Sequence, residues 1–261
     1  MRKFWIGAGL VAALSLSGCG GGEKTAEAPK SESAAAPAAG GGAATPDEAN
    51  GGTVTGKVSF DGAAPTPKKI DMSANPVCMR AHPSSAPSDE VVINPNKTVK
   101  NVFVWVKSGL PDRNWQVPTT AVVLDQEGCM YKPHVVGVQT GQQIDIKNAD
   151  PTNHNIHPLP TVNQEWNESQ PPGSADKMQS FPRQEVLIPV KCNIHPWMRA
   201  YIGVVSHPFF MVTGDDGTYT LKGLPPGTYT VEIIHEKYGK QEQQVTVGAK
   251  ESKTADFTLK G

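Results

Sequence analysis

After residue 52, apolar and polar side chains alternate with a period of two along much of the chain, the pattern of strands that bury one face. Residues 53–60 alternate through Val54, Val58 and Phe60, and Asp61-Gly62 supplies a turn. Residues 99–106 set Val102, Val104 and Val106 against Phe103 and Trp105, which predicts a strand buried on one face or both. Between these two, residues 65–88 are a Pro- and Ser-rich connection. Further strands are predicted over 121–124, 131–135, 143–148, 184–190 and 201–205, with a loop at 112–118 and an irregular polar excursion at 165–181. The end of the chain reads as strands over 211–213, 218–221, 228–235, 244–247 and 254–259, separated by turn signals such as Asp215-Asp216-Gly217 and Pro225-Pro226-Gly227. No segment has a helical period, so the expected fold class is all-β.

The first fifty residues are different. Met1 to Lys3 is short and basic, and residues 4–16 are an apolar run too short to span a bilayer comfortably, so residues 1–18 read as a signal peptide. It ends in Leu16-Ser17-Gly18-Cys19, which resembles the lipobox of bacterial lipoproteins and implies a lipidated Cys19 as membrane anchor. Gly20 after that Cys favours the outer membrane where one exists. The implied location is the cell envelope, on the periplasmic face of the outer membrane or at the cell surface. Residues 19–52 are Ala, Gly, Pro, Ser and Glu with almost no large apolar side chain, and are expected to be a disordered tether. With 24 Lys+Arg against 25 Asp+Glu and no basic block, nothing points to nucleic acid.

Candidate chemistry gathers in Cys192-Asn193-Ile194-His195-Pro196-Trp197-Met198 and, upstream, His154-Asn155-Ile156-His157. A thiolate, two imidazoles and a thioether are the donor set of a mononuclear blue copper site. Pro196 removes a backbone donor where a helix would have to continue, so the C-x-x-H-x-x-M run suits a loop between strands. Zinc is a rival for the same residues, although structural zinc prefers a fourth Cys or His. A thiol enzyme fits badly, because Cys and His three apart on one loop lack an orienting third group. No C-x-x-C-H haem signature occurs. Of the 4 Cys, assigning Cys19 to lipid and Cys192 to metal leaves Cys78 and Cys129. In an exported protein these tend to form a disulfide, but Cys78-Met79 with His82 and Cys129-Met130 with His134 could instead hold a second soft ion, or the two thiols could stay apart.

Residues 119–208 resemble the cupredoxins, through Tyr131-x-Pro133, Gly141-Gln142, Asn148-x-Asp150, His154-Asn155 and the Cys192 run, whose short loop is most similar to that of the amicyanins. The resemblance implies one type 1 copper held by His154, Cys192, His195 and a weak axial Met198. It also implies Asn155 linking the ligand loops, and His195 with Pro196 and Trp197 forming an apolar surface patch where electrons leave. His154 is chosen over His157 because it precedes Asn. Residues 209–261 resemble the carboxypeptidase regulatory-like, transthyretin-like domain, through Asp215-x-Gly217-x-Tyr219-x-Leu221, residues 223–229 and Tyr238-Gly239. That family's first strand carries Gly-x-Val, which Gly56-Lys57-Val58 supplies, so residues 53–118 are expected to open the same sandwich with the cupredoxin inserted. Two sandwiches in series is the other arrangement.

The implied function is a membrane-anchored blue copper protein, not an enzyme, that passes single electrons between redox partners in the envelope. Copper storage or delivery through the same ligands, or a structural or adhesive sandwich, are the alternatives.

Overall fold

In the computed structural model, which describes residues 43–261, the described residues are all-β apart from one six-residue helix, α1 (Pro76–Ala81). The expected signal peptide and Cys19 lie outside the described residues. The last part of the expected tether does not behave as one. Ala44 forms a β-bridge with Trp115, donating to the Asn114 carbonyl at 2.8 Å and accepting from Gln116 N–H at 2.8 Å. Ala44 has too little side chain to register as a strand signal, and it is ordered by pairing with a distant segment.

Two layered units share the body. In the first, β1 (Gly52–Asp61) lies between β15 (Thr218–Leu224), which is antiparallel to it, and β18 (Ser252–Thr254) and β19 (Phe257–Lys260), which are parallel to it. Facing it is the antiparallel sheet β14 (Phe210–Val212), β4 (Phe103–Ser108), β16 (Gly227–His235), β17 (Gly239–Val247). Alternate residues of both sheets meet in one core, with Val54 and Val58 of β1 against Val104 and Val106 of β4 and Val231 and Ile233 of β16. β1 and β4 therefore belong with the strands at the end of the chain.

The second unit packs the sheet β10 (Glu168–Gln170), β9 (His154–Pro158), β12 (Glu185–Lys191), β13 (Arg199–Val205), β7 (Val135–Gln139) against the sheet β11 (Lys177–Gln179), β8 (Ile144–Asn148), β5 (Val122–Gln126), β6 (Tyr131–Lys132). Its core holds Leu124, Ile144, Ile146, Ile188, Ile202 and Val204, again every second residue of their strands. The polar stretch expected to be irregular at 165–181 contributes the short edge strands β10 and β11.

The units meet where Gly137 of β7 pairs with Gly203 of β13. The stacked rings of Phe103 and Phe210, 5.9 Å apart, lie across these glycines. A Cβ on Gly203 would fall 2.2 Å from the Phe103 ring, and one on Gly137 2.6 Å from that of Phe210, so only glycine permits this approach.

The segment read as a plain connection at 65–88 is folded. β2 (Lys69–Ile70) pairs with β3 (Ala86–Pro87) and brackets α1. The helix starts where it does because Asn75 Oδ1 accepts the N–H groups of Val77 at 2.9 Å and Cys78 at 3.3 Å, with Pro76 at the first helical position. Six residues are too few to show a 3.6-residue period. Of the readings left open for the spare cysteines, the structure takes the disulfide: Cys78 on α1 is bonded to Cys129 in the turn between β5 and β6.

Candidate metal centre

Cys192 leaves the end of β12, His195 and Met198 follow in the loop to β13, and His154 opens β9. The loop is closed by Cys192 N–H on the Met198 carbonyl at 3.2 Å and Met198 N–H on the His195 carbonyl at 2.9 Å. His195 N–H also donates to Cys192 Sγ at 3.4 Å. Asn155 ties this loop to β9: its Oδ1 accepts from Asn193 N–H at 2.7 Å while its Nδ2 donates to Asn167 at 2.6 Å. Tyr131 O–H donates to the Asn155 carbonyl at 2.5 Å and holds the same residue from the core side. The bond to the loop uses the backbone of Asn193, so it does not depend on the side chain at that position.

Three donors converge. One ligand atom each from His154, Cys192 and His195 lie within 4.8 Å of one another. The two Nδ1 atoms are 2.9 Å apart and Cys192 Sγ is 3.8 Å from His195 Nδ1. All three residues are buried, with exposures of 0 % for His154 and 2 % each for Cys192 and His195. Both rings are braced from outside through Nε2. His154 Nε2–H donates to Asp150 Oδ2 at 2.8 Å, and that carboxylate accepts the N–H groups of Gly128 and Cys129, each at 2.7 Å. His195 Nε2 meets the Asn75 amide nitrogen at 2.7 Å. A carboxylate behind an imidazole fixes which nitrogen faces inward, as in metal centres generally.

The electrostatics suit a thiolate. Burial pushes the Cys192 thiol up, but hydrogen bonds from His154 and from the backbone near Asn155, His195 and Ile194 outweigh it and hold the thiol below its ordinary range. Burial pulls His154 down, yet Asp150 and Cys192 more than reverse this and leave it raised. Burial, aided by the neighbouring charge of His154, pulls His195 down. Asp150 is lowered: burial opposes its ionisation, and the bonds from His154, Cys129 and Gly128 prevail.

The sequence-based expectation of one type 1 copper in a Cys–His–His–Met site, used to carry electrons, is corrected here. The donor sets that converge are His154–Cys192–His195 and an overlapping Cys129–Asp150–His154, combinations of His, Cys and Asp without Met198. Met198 is fully buried within the apolar core of the second unit, where a thioether packs like any other hydrophobe. Cys129 of the overlapping set is held in the bond to Cys78 and cannot serve as a thiolate. The three donors that converge fit a soft ion taken by one thiolate and two imidazoles.

The expected surface patch is corrected as well. Pro196 is exposed and Trp197 half-buried, donating its indole N–H to the Cys129 carbonyl at 3.0 Å, but His195 lies beneath α1 and reaches no surface. A segment more than a hundred positions upstream covers it, which local sequence could not reveal. His157 points elsewhere, to Glu165 at 2.5 Å and Asn193 at 3.3 Å. His82 is bonded to the Gly128 carbonyl at 2.6 Å and His134 to Glu236, so neither joins the disulfide in holding an ion. Sequence reading gave no role to Asp150 or Asn75. Their signals were present: a carboxylate four residues before His154, and an Asn-Pro pair of the kind that starts a helix.

The family model of the carboxypeptidase regulatory-like domain matches residues 200–260. No curated protein matches the chain. Among solved structures, a copper-containing nitrite reductase from Thermus scotoductus is similar over 34% of this chain and 23% of its own, at 17% identity and a TM-score of 0.31. A purple cupredoxin from Nitrosopumilus maritimus is similar over 32% of this chain and 98% of its own, at 17% identity and a TM-score of 0.28. An amicyanin mutant in its Cu(I) form is similar over 39% of this chain and 97% of its own, at 22% identity and a TM-score of 0.27. This resemblance to cupredoxin-fold proteins is partial and weak.

Proposed function

We propose that the Cys192–His154–His195 centre takes up a soft metal ion as cargo, to store it or hand it to an acceptor, with copper(I) the ion its donors suit best. The observation that carries this is the convergence of one thiol and two imidazoles, all buried, within 4.8 Å. A thiolate suits soft ions, copper(I) and zinc among them, and imidazole suits both as well. Zinc would need a fourth partner or an open position for water. Asp150 and the backbone N–H groups beside it hold His154 with Nδ1 inward, and Asn155 holds the loop that carries the other two donors. Anchoring through a lipidated Cys19 in the cell envelope belongs to the same reading. It predicts that Cys19→Ser moves the protein from the membrane fraction to the soluble one.

The test is competition for copper(I) against a coloured chelator, using protein from residue 43 onward. One ion per chain is expected, with Cys192→Ser weakening retention by more than about a hundredfold, since even partners outside the donor set cost ten- to a hundredfold when lost. Retention unchanged in Cys192→Ser, or none in the wild type, would refute the reading and leave a structural sandwich. Zinc held more tightly than copper(I) would keep the site and change the cargo.

A further inference from the structure

Residues 68–88 cover the metal centre with a segment whose own structure is slight. β2 and β3 pair through two residues each, and a helix as short as α1 is marginal in water without outside support. The segment is held to the second unit by Met72 and Ala86, buried in its core, by His82 on the Gly128 carbonyl at 2.6 Å, and by the covalent bond from Cys78 to Cys129. Beneath it His195 is buried, with Cys78 Sγ 3.7 Å from its Nε2. An ion held by Cys192, His154 and His195 is therefore screened on this side by the covering segment.

Cys129 is the junction. Its sulfur holds the cover, its N–H donates at 2.7 Å to the Asp150 carboxylate that braces His154, and its carbonyl accepts the Trp197 indole N–H at 3.0 Å from the loop that carries His195. It does so from a left-handed backbone with φ of +56°, beside Gly128 at +65°, a conformation that a residue with a Cβ adopts at a cost and keeps because its surroundings impose it. The cover, the brace of His154 and the ligand loop thus meet at one residue. Of the ties that meet there, the disulfide is the one that redox chemistry can make and break.

We propose that the Cys78–Cys129 bond is a redox lock on the metal centre, formed to seal an ion in and reduced to let it out. The proposal rests on the metal-cargo reading above. In sealing, the Cys78 and Cys129 thiols give two electrons and two protons to a disulfide oxidant, which leaves as a dithiol while the S–S bond forms, and the copper(I) ion keeps its charge. In release, a dithiol reductant runs the exchange in reverse. One of its thiolates attacks a sulfur of the bond and displaces the other cysteine, and its second thiol then closes the reductant's own disulfide and frees the first cysteine. The cover, left with noncovalent contacts, opens over His195. Both sulfurs are fully buried, so a dithiol reaches the bond only as α1 frays, and the sealed state is long-lived.

The test uses the full chain with Cys19→Ser, so that Cys78, Cys129 and Cys192 are its only cysteines. It compares the disulfide-bonded form with Cys78→Ala/Cys129→Ala. Copper(I) uptake from a coloured chelator, and release to it, are each followed in time and then to equilibrium. Without the bond both rates should rise by about thirtyfold or more, the low end of what a disulfide contributes expressed as a ratio, while affinity stays within about threefold because the three donors are untouched. Disulfide-bonded protein treated with a phosphine, which reduces the bond and brings no competing thiol, should accelerate likewise and gives the answer where the double variant does not fold. A disulfide that merely supports the fold would speed release and leave uptake unchanged, with affinity lost, and that result overturns the proposal. Equal rates with and without the bond overturn it too, even where both forms bind copper(I). No binding by either form overturns the cargo reading, and the lock with it.

Discussion

Two pairs of buried histidines, one in each unit, invite comparison. His207 and His235 in the first unit are as deeply buried as His154 and His195 in the second, at 6 % and 2 % exposure against 0 % and 2 %. Their nitrogens are spent close to home. His207 Nε2–H donates to the Val106 carbonyl at 2.8 Å and its Nδ1 accepts Phe209 N–H at 3.2 Å, while His235 Nδ1 accepts the N–H groups of Lys237 at 3.1 Å and Tyr238 at 3.4 Å. Burial pushes both rings down to about 4, so they are neutral parts of the fold. His154 and His195 instead turn Nδ1 toward each other and toward a thiol, while Asp150 and Asn75 occupy Nε2. Burial alone does not make a histidine a ligand. What matters is whether its inward nitrogen meets backbone, which ends its chemistry, or other side-chain donors, which leaves it open.

The strongest way to break this contrast is to exchange the lesions. His195→Ala should weaken copper(I) retention by more than about a hundredfold. His207→Ala should leave retention unchanged yet cost about 2–4 kcal/mol in denaturant unfolding, from the cavity and from the Val106 and Phe209 groups left unpaired. Loss of copper(I) in His207→Ala would erase the distinction.

Acid titration sharpens it next. With both structural histidines at about 4 in the folded protein against an ordinary 6.5, the unfolded chain takes up protons between these values that the native state refuses. The contribution of these two rings should be constant above pH 6.5, fall as the pH drops toward 4, and level off below. The upper bound is about 3 kcal/mol per ring, at 1.36 kcal/mol per pH unit. Urea midpoints of protein stripped of metal, taken across this window, test it, and His207→Ala should flatten the slope. Glu185 titrates apart: burial raises it, but bonds from Thr161 and Asn163 hold it at about 2, so its stabilising contribution is lost only as the pH falls from 4.5 through 2.

The smallest effect concerns the seam between the units. Gly203→Ala drives a methyl into the Phe103 ring and should destabilise by about 1–3 kcal/mol with copper(I) affinity unaltered. Gly214→Ala, with nothing within 4 Å of the added carbon, should change neither. A parallel loss of affinity in Gly203→Ala would mean that the seam and the centre are coupled.

Legibility followed the range of the signal. The strands with clean alternation, β1, β4 and β16, stood out because a half-buried strand repeats every second residue within itself. The edge strands β10 and β11 and the helix α1 did not, being three to six residues long with ends set by distant partners or a single cap. At the centre, the residue types of Cys192, His195 and His154 were readable from spacing and local company. The packing of Met198 into the apolar core was not, since a thioether reads the same in sequence whatever surrounds it.

The amino-acid sequence by itself determined the all-β class, the turns and the presence of a thiol and imidazoles in one loop, because these are properties of neighbouring residues. Tertiary structure chose among the arrangements the sequence left open, joining β1 and β4 to the terminal strands and Cys78 to Cys129, and it alone decided that α1 buries His195 and places Asn75 against it. Each of these depends on segments far apart in the chain and brought together only by packing, and burial and hydrogen-bond partners leave no periodic trace in the sequence that receives them.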